Sequence, residues 1–315
     1  MRGPTIRVAS LAALLLLLAV FHLTTIRNGH GWGDDFAQYL HHAKNIALGL
    51  PCSETGYILN PFQRSLAPAA YPPLAPLLMA PVYRYARLSF PAFKAEMVMF
   101  LLLALALIWS FFRPRLGPGR SLLVVALVGF NPFVWEFKNS IAPNFLFLAL
   151  TYLSLQLLHT LHDAGAWRAP LLGVSIFLAC ATRSLGIVLL PAAMLYEYRR
   201  HRRIPARGAV ALSLAALLIL LQNLALPVED SYLSELRATF TARTPLANAW
   251  EYFREASAIW GNAYSRGAAV ALFLASFAWA AVGWWKDRRN VTALECFLPF
   301  YIAAILCWPS TQGLR

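Results

Sequence analysis

Two adjacent carboxylates, Asp34 and Asp35, follow a long apolar segment in the stretch GHGWGDDFAQYLHHAKNIALG, residues 29–49. Acidic residues are scarce in this chain, with 14 Asp+Glu among 315 residues. A carboxylate close to hydrocarbon has its pKa raised toward the range that suits a general base. Acids at a helix N-terminus also interact favourably with the helix dipole, so an N-cap with a first-turn acid is the alternative interpretation.

A second residue that could do chemistry is Arg183, in the middle of the apolar stretch 168–198. An Arg at membrane depth is costly and normally faces a protein interior or a wet cavity. Its guanidinium suits bidentate binding of a phosphate group. The alternative is a structural Arg that hydrogen-bonds to backbone carbonyls at a turn.

The composition predicts an all-α polytopic membrane protein, because 59% of the residues are hydrophobic and only 13% are charged. The net charge is +13, but the basic residues form short clusters between apolar runs, which is typical of cytoplasmic loops. No folded basic domain is present, so nucleic acid is not an expected partner. The four cysteines form no cluster, and they support neither a disulfide framework nor a metal site.

Windows of about 20 apolar residues predict membrane spans near 8–26, 92–112, 120–137, 142–160, 208–226, 266–285 and 292–309. The stretch 168–198 is too long for one simple crossing. A single crossing would also place the RRHRR cluster at 199–203 outside, against the positive-inside rule. We therefore predict a hairpin of two short helices that turns near Thr182-Arg183-Ser184, which gives about nine membrane segments in one domain, 1–315.

Basic residues near the N-terminus place it in the cytoplasm, and the count of spans then places two large loops on the outer side, 27–91 and 227–265. Asp34, Asp35 and Arg183 fall on that same outer side. Each loop carries an amphipathic pattern that predicts a helix at the membrane surface: FAQYLHHAKNIA in the first, and a segment with Trp250, Phe253, Ile259 and Trp260 in the second.

Six prolines between residues 60 and 81 predict a shaped loop instead of a continuous helix. Within it, Tyr71 is a candidate contact for a lipid headgroup or a sugar, with an aromatic belt at the membrane interface as the alternative. Arg64 is a candidate for phosphate binding, with a solvated loop cation as the alternative.

These residue types suggest one reaction. A sugar on a lipid phosphate already has a good leaving group, so its transfer needs a cation to hold the departing phosphate and a carboxylate base for the attacking hydroxyl. Hydrolysis by a glycosidase requires two separated carboxyl groups, a geometry that the adjacent Asp34 and Asp35 do not obviously offer.

Four segments occur in an order that resembles the GT-C superfamily of membrane glycosyltransferases: GDDFAQYLHHAKNIALG, YPPLAPLLMAP, NPFVWEFKNSIAPN and ATRSLGIVLLPAAMLY. More narrowly, the chain is similar to the branch of protein mannosyltransferases and aminoarabinose transferases (family 39 type). This resemblance implies an inverting transfer of a hexosyl or pentosyl group from a polyprenyl-phosphate sugar to an acceptor on the outer face of a bacterial plasma membrane. The acceptor is a protein, a lipid or a glycan.

The resemblance assigns Asp34 as the catalytic base, Asp35 as its catalytic neighbour, and Arg183 as the Arg of the hairpin. Further candidates for binding the donor phosphate or the substrate are Arg64, Tyr71, Lys138 and Asn144. No cofactor and no metal ligand are predicted, although a requirement for a divalent metal stays open.

The chain departs from the family pattern at three places. Asn139 and Asn144 stand where many relatives carry an acid, and Tyr71-Pro72-Pro73 stands where relatives have Lys-Pro-Pro. Relatives continue beyond the final WPSTQGLR, so we expect a C-terminally truncated member. Two alternatives follow: a catalytically degenerate member that only binds lipid phosphate, and a transporter or flippase. The absence of a visible internal repeat disfavours the transporter.

Overall fold

The computed structural model describes residues 4–30, 35–52, 71–163, 165–226, 236–237, 240–260, 265–287 and 290–308. All regular secondary structure within these ranges is helical, which confirms the all-α class. The helices are α1 (Pro4–Thr24), α2 (Phe36–Leu48), α3 (Leu74–Ala86), α4 (Phe90–Leu116), α5 (Pro118–Gly129), α6 (Pro132–Phe137), α7 (Asn144–His159), α8 (Arg168–Thr182), α9 (Leu189–His201), α10 (Ala206–Ala225), α11 (Thr244–Ala256), α12 (Arg266–Asp287) and α13 (Ala293–Cys307). Short 3₁₀ helices follow α8 (Ser184–Val188) and α11 (Ser257–Trp260).

Three of these helices are long and apolar enough to cross a membrane: α4, α10 and α12. Shorter apolar helices are found in α1, α5, α7, α8 and α13. These lengths and compositions are compatible with a membrane protein. The expected number of nine membrane segments stays a prediction.

Helix α4 lies at the centre of the packing and contacts α1, α3, α5 and α7. One face of α4 is fully buried at Phe93, Met97, Leu101 and Leu105. These residues recur every four positions, so they stack along one side of the helix. The central helix thereby holds the N-terminal and middle parts of the chain together.

One end of the bundle gathers arginines and is called the basic end here. Arg115 at the end of α4 pairs with Glu295 at the start of α13, with 2.7 Å between Nη1 and Oε1. Arg200 in α9 donates to the His159 carbonyl at 3.1 Å, and Arg168 donates to the Thr160 carbonyl at 2.8 Å. The end of α9 therefore lies beside the loop between α7 and α8, which is the arrangement that the hairpin prediction requires.

The opposite end of the bundle holds the start of α2, the start of α7 and the turn after α8. The His30 ring stacks on Phe36 with 3.8 Å between ring centroids. His30 Nε2 accepts a hydrogen bond from the Ile141 backbone N–H at 3.2 Å. Three residues later, Asn144 begins α7 and accepts a hydrogen bond from Arg183. These contacts bring the first residue of α2 and the turn at Arg183 to the same end.

The helix is interrupted at Arg183, so the stretch 168–198 forms two helices, as predicted. Arg183 has extended backbone angles, φ −146° and ψ 137°, between α8 and the 3₁₀ turn. The turn closes with a hydrogen bond of 2.8 Å from Gly186 N–H to the Arg183 carbonyl. It folds tightly onto α8, because a Cβ at Gly186 would lie 2.5 Å from the carbonyl carbon of Ala179.

The prediction of a non-helical loop over residues 60–81 is wrong for its described C-terminal part. Residues 53–70 lie outside the described ranges, but α3 begins at Leu74 and continues through Pro81. Pro73 stands at the N-cap, and Pro76 falls in the first turn, where a missing N–H costs no helical hydrogen bond. Only Pro81 interrupts the hydrogen bonds inside the helix.

The predicted span 120–137 is also wrong, because α5 ends at Gly129 and a separate short helix, α6, begins at Pro132. Asn131 starts α6 by accepting hydrogen bonds from the backbone N–H groups of Phe133 and Val134, at 2.9 and 3.3 Å. The Asn-Pro pair is a strong start signal for a helix. It directs the chain into a new helix although the sequence remains apolar.

The amphipathic segments of both large loops contain helices. In α2, Phe36, Leu40 and Ala43 are buried on one face. In α11, the Trp250 and Phe253 rings are 65% and 49% exposed, while the Asn248 side chain donates to the carbonyl oxygens of Leu306 and Trp308. These hydrogen bonds attach α11 to the end of α13. A position at the membrane surface stays a prediction for both helices.

Candidate functional site

Asp35 stands at the N-cap position of α2, but its side chain makes no capping hydrogen bond. Its backbone is already helical, φ −65° and ψ −4°, and the residue is exposed. Side-chain capping, the alternative interpretation of the acidic pair, is therefore not observed for Asp35. Asp34 lies outside the described residues.

The position of Asp35 is determined by the aromatic packing of the next residue. Phe36 is 5% exposed, and it contacts both His30 and Phe90. Phe90 begins α4, so the start of α2 is held against the central helix. The carboxylate of Asp35 is thus presented at the surface by a well-packed neighbour.

Arg183 lies at the same end of the bundle, and its guanidinium donates a hydrogen bond to Asn144 Oδ1. Among the described residues this is the only hydrogen-bond partner of the guanidinium. The alternative of an Arg that binds backbone carbonyls at the turn is therefore not observed. Within the described ranges, the other N–H donors of Arg183 make no further hydrogen bond, and they suit an anionic ligand.

Asn144 adds a second donor beside Arg183. Because its Oδ1 faces the guanidinium, its Nδ2 points away, and Nδ2 is buried without a hydrogen-bond partner among the described residues. A buried donor without a partner is costly, by about 1–3 kcal/mol. An oxygen-rich ligand at this position would relieve that cost. Arg183 and Asn144 are thus two predicted site residues that the structure brings together.

Lys138 is placed differently from Arg183. Its side chain is fully buried, and its ammonium donates to the Thr25 carbonyl at 2.9 Å and lies 5.2 Å from the Trp135 ring centre. Burial lowers the pKa of Lys138, and the nearby positive charge of Arg27 lowers it further. The ammonium therefore holds the segment that follows α1, while its role toward a substrate stays a prediction.

A second lysine, which the sequence did not identify as a candidate, also holds the segment that follows α1. Lys94 in α4 is fully buried, and it donates to the carbonyl oxygens of Arg27 and Gly29. Two lysines thus satisfy backbone carbonyls on the segment that leads to the acidic pair. An ionisable residue inside a long apolar segment is itself a signal of such a role.

Tyr71 is buried, with 7% of its surface exposed, and it packs against Tyr39 at 4.9 Å and His42 at 6.1 Å between ring centroids. This packing joins Tyr71 to α2, while a contact of Tyr71 with a lipid headgroup or a sugar, and the alternative of an interfacial aromatic, stay predictions. Arg64, the remaining candidate, lies outside the described residues.

The family resemblance implies that replacing Arg183 with Ala raises the KM for a lipid-phosphate donor by about 10–100-fold, because charge-assisted hydrogen bonds contribute about 1.5–3 kcal/mol each. Donor kinetics in membranes that contain equal amounts of folded protein measure this effect. Arg183→Lys is the matched control: it keeps the charge but loses the planar fork, so we expect an intermediate KM. Wild-type donor kinetics in Arg183→Ala would assign a purely structural role to the residue.

Comparisons of the chain with protein-family models, with curated proteins and with solved structures found no match. The residues of the candidate site are the acidic pair that precedes α2 in the sequence, Arg183 with its guanidinium, and Asn144, whose Nδ2 has no partner among the described residues.

Proposed function

We propose that the chain is a membrane glycosyltransferase that moves a sugar from a polyprenyl-phosphate donor to an acceptor hydroxyl. The observation that carries this proposal is a pair of donors where the turn after α8 meets the start of α7: the Arg183 guanidinium and the buried Asn144 Nδ2, which has no hydrogen-bond partner in the described part of the chain. Both groups suit phosphate oxygens. They lie at the end of the bundle where α2 begins, directly after the acidic pair.

The proposed reaction is a single displacement. Asp34 accepts the proton of the acceptor hydroxyl while its oxygen attacks the anomeric carbon of the sugar. A new carbon–oxygen bond forms as the bond from the anomeric carbon to the phosphate oxygen breaks. The polyprenyl phosphate leaves with the electron pair, and Arg183 and Asn144 stabilise its negative charge. Attack from the face opposite the leaving group inverts the configuration at the anomeric carbon.

The proposed site faces the outer side of the membrane. The basic end gathers Arg115, Arg168, Arg200 and Arg207, and the positive-inside rule assigns such an end to the cytoplasm. The opposite end, with Arg183, would then face outward, and about nine membrane segments would complete the topology. A polyprenyl chain beside Arg183 would extend among the apolar helices, which suits a lipid donor in a bacterial plasma membrane.

A panel of radiolabelled polyprenyl-phosphate sugars, incubated with membranes that contain the chain, tests the proposal. We expect label from one donor to appear in a protein, lipid or glycan acceptor, and the released polyprenyl phosphate to be formed in equal amount. Membranes that contain a double variant, Asp34→Asn with Arg183→Ala, are the control. Saturable donor binding without transfer would support a degenerate lipid-phosphate binder. The absence of both donor binding and sugar transfer would overturn the proposal.

A further inference from the structure

A cluster of three potential metal ligands lies at the basic end, the end of the bundle opposite to Arg183 and Asn144. His162 belongs to the loop between α7 and α8, while Glu197 and His201 lie in the last turns of α9. The spacing of four residues places Glu197 and His201 on one face of that helix. One ligand atom from each of the three residues lies within 4.8 Å of the other two.

The ligand atoms in this cluster are poorly satisfied by the protein. Glu197 is 0% exposed, and its Oε1 has no hydrogen-bond partner among the described residues. His201 Nε2 is also buried without a partner there. Among the described residues, the one hydrogen bond within the cluster joins His162 Nε2 and Glu197 Oε2 at 2.8 Å, and the His162 and His201 rings pack edge to face with 4.5 Å between centroids. A carboxylate oxygen and an imidazole nitrogen that have no partner among the described residues are atoms that can coordinate a cation.

Three arginines around the cluster donate hydrogen bonds to backbone carbonyls. Arg200 donates to the His159 carbonyl and to Tyr196 Oη, and Arg168 donates to the Thr160 carbonyl. Arg207 donates weakly to the carbonyls of Leu161 and His162, at 3.4 Å each. These guanidinium groups hold the backbone of residues 159–162, so they orient His162 toward α9. Supporting contacts of this kind keep metal ligands in place.

We propose that His162, Glu197 and His201 bind a divalent transition-metal ion of the Zn²⁺ class. Two imidazoles and one carboxylate form a common ligand set for such ions, with a further position open to water. Ligand atoms around tetrahedral Zn²⁺ lie about 3.4 Å apart, and the three ligand atoms here lie within 4.8 Å of one another, so the most distant pair closes by at most about 1.4 Å on binding. The bound ion ties the loop between α7 and α8 to the end of α9.

Full-length protein purified in detergent with a tag free of histidine, and stripped with EDTA, provides the test. Titration with ZnCl₂ is expected to give one saturable site by calorimetry and a higher thermal unfolding temperature. Co²⁺ as a spectroscopic probe is expected to give d–d absorption bands typical of a low-coordinate nitrogen and oxygen site. X-ray absorption should show histidine scattering and bond lengths near 2.0–2.2 Å.

Matched variants assign the ligands. Loss of a residue that only supports a metal ligand typically raises the Kd for the metal by about 10–100-fold. Because His201→Gln and His162→Gln each remove a ligand itself, we expect them to raise the Kd for Zn²⁺ by more than this. His41→Gln, which removes a histidine from α2, should leave the Kd unchanged. Gly208→Ala keeps all three ligands but places a Cβ 3.0 Å from Glu197 Oε2, so a smaller rise in Kd is expected.

Two results would overturn the metal site. One is wild-type protein without saturable Zn²⁺ binding at millimolar concentration, and the other is equal Zn²⁺ affinity in the wild type and both histidine variants. Because the Co²⁺ spectrum is read on the wild-type protein, the test holds even if a variant fails to fold. Sugar transfer is not used as a readout, so the outcome is independent of the proposed reaction.

Discussion

Asp34→Asn is expected to abolish sugar transfer while the protein still accumulates in the membrane. Asn has nearly the same shape as Asp but cannot accept the proton of the attacking hydroxyl. General-base catalysis typically contributes about 100–10,000-fold to a rate, so a loss of at least about 100-fold in kcat is expected. The KM for the donor should change little, because the base acts on the acceptor. Initial rates with a saturating labelled donor measure the effect.

The control for Asp34→Asn is the same substitution at the basic end of the bundle. Asp163 is 60% exposed in its side chain and lies 3.7 Å from Arg200 at the basic end. Asp163→Asn should retain wild-type transfer. Asp35→Asn separates the two members of the pair, and we expect a smaller loss than for Asp34→Asn. Wild-type kcat in Asp34→Asn would exclude this residue as the base.

The reversal of the chain at Arg183 could be predicted from the sequence, because clusters of basic residues between membrane spans normally lie on the cytoplasmic side. An arginine cluster at 199–203 has to return to the end that holds the other basic loops, and this forces a turn within 168–198. The structure has the turn at Arg183, with His159 and Arg200 in contact at the basic end. A global electrostatic rule thus predicted a local break in a helix.

Other breaks depend on local backbone chemistry that hydropathy windows average away. The chain is apolar on both sides of Asn131, yet this residue caps α6 and separates it from α5. Conversely, Pro81 suggests an interruption, but α3 continues through it. Windows of about 20 residues detect how much apolar chain is present. They do not detect the capping residues at which one helix ends and the next begins.

Arg183 and Asn144 were both candidates through the family resemblance, but the contacts within each pair could not be predicted, because they depend on how each helix is rotated about its axis. Arg183 and Asn144 are 39 residues apart, and His162 and Glu197 are 35 apart. Helices that are apolar all round carry no amphipathic pattern from which their rotation can be read. Only the four-residue spacing of Glu197 and His201 was visible in the sequence as a partial signal.

Gly186→Ala is expected to lower the free energy of unfolding markedly, although it adds only one methyl group. The added Cβ would lie 2.5 Å from backbone atoms of Ala179 and Cys180, and backbone cannot yield as a flexible side chain can. Overpacking costs about 1–3 kcal/mol and occasionally more, and we expect a value at the upper end. Thermal unfolding in detergent should therefore show a midpoint several degrees lower.

The same substitution is expected to impair donor use, since Gly186 N–H donates to the Arg183 carbonyl within the turn. A displaced turn moves the Arg183 guanidinium away from Asn144, so the KM for the donor should rise even in the folded fraction. Gly283→Ala is the matched control: nothing lies within 4 Å of its added Cβ, and Ala in a helix interior is favoured over Gly by about 0.5–1 kcal/mol. If both variants unfolded at the wild-type temperature, close packing of the turn on α8 would be excluded. A lower midpoint with an unchanged donor KM would separate the stability of the turn from the placement of Arg183.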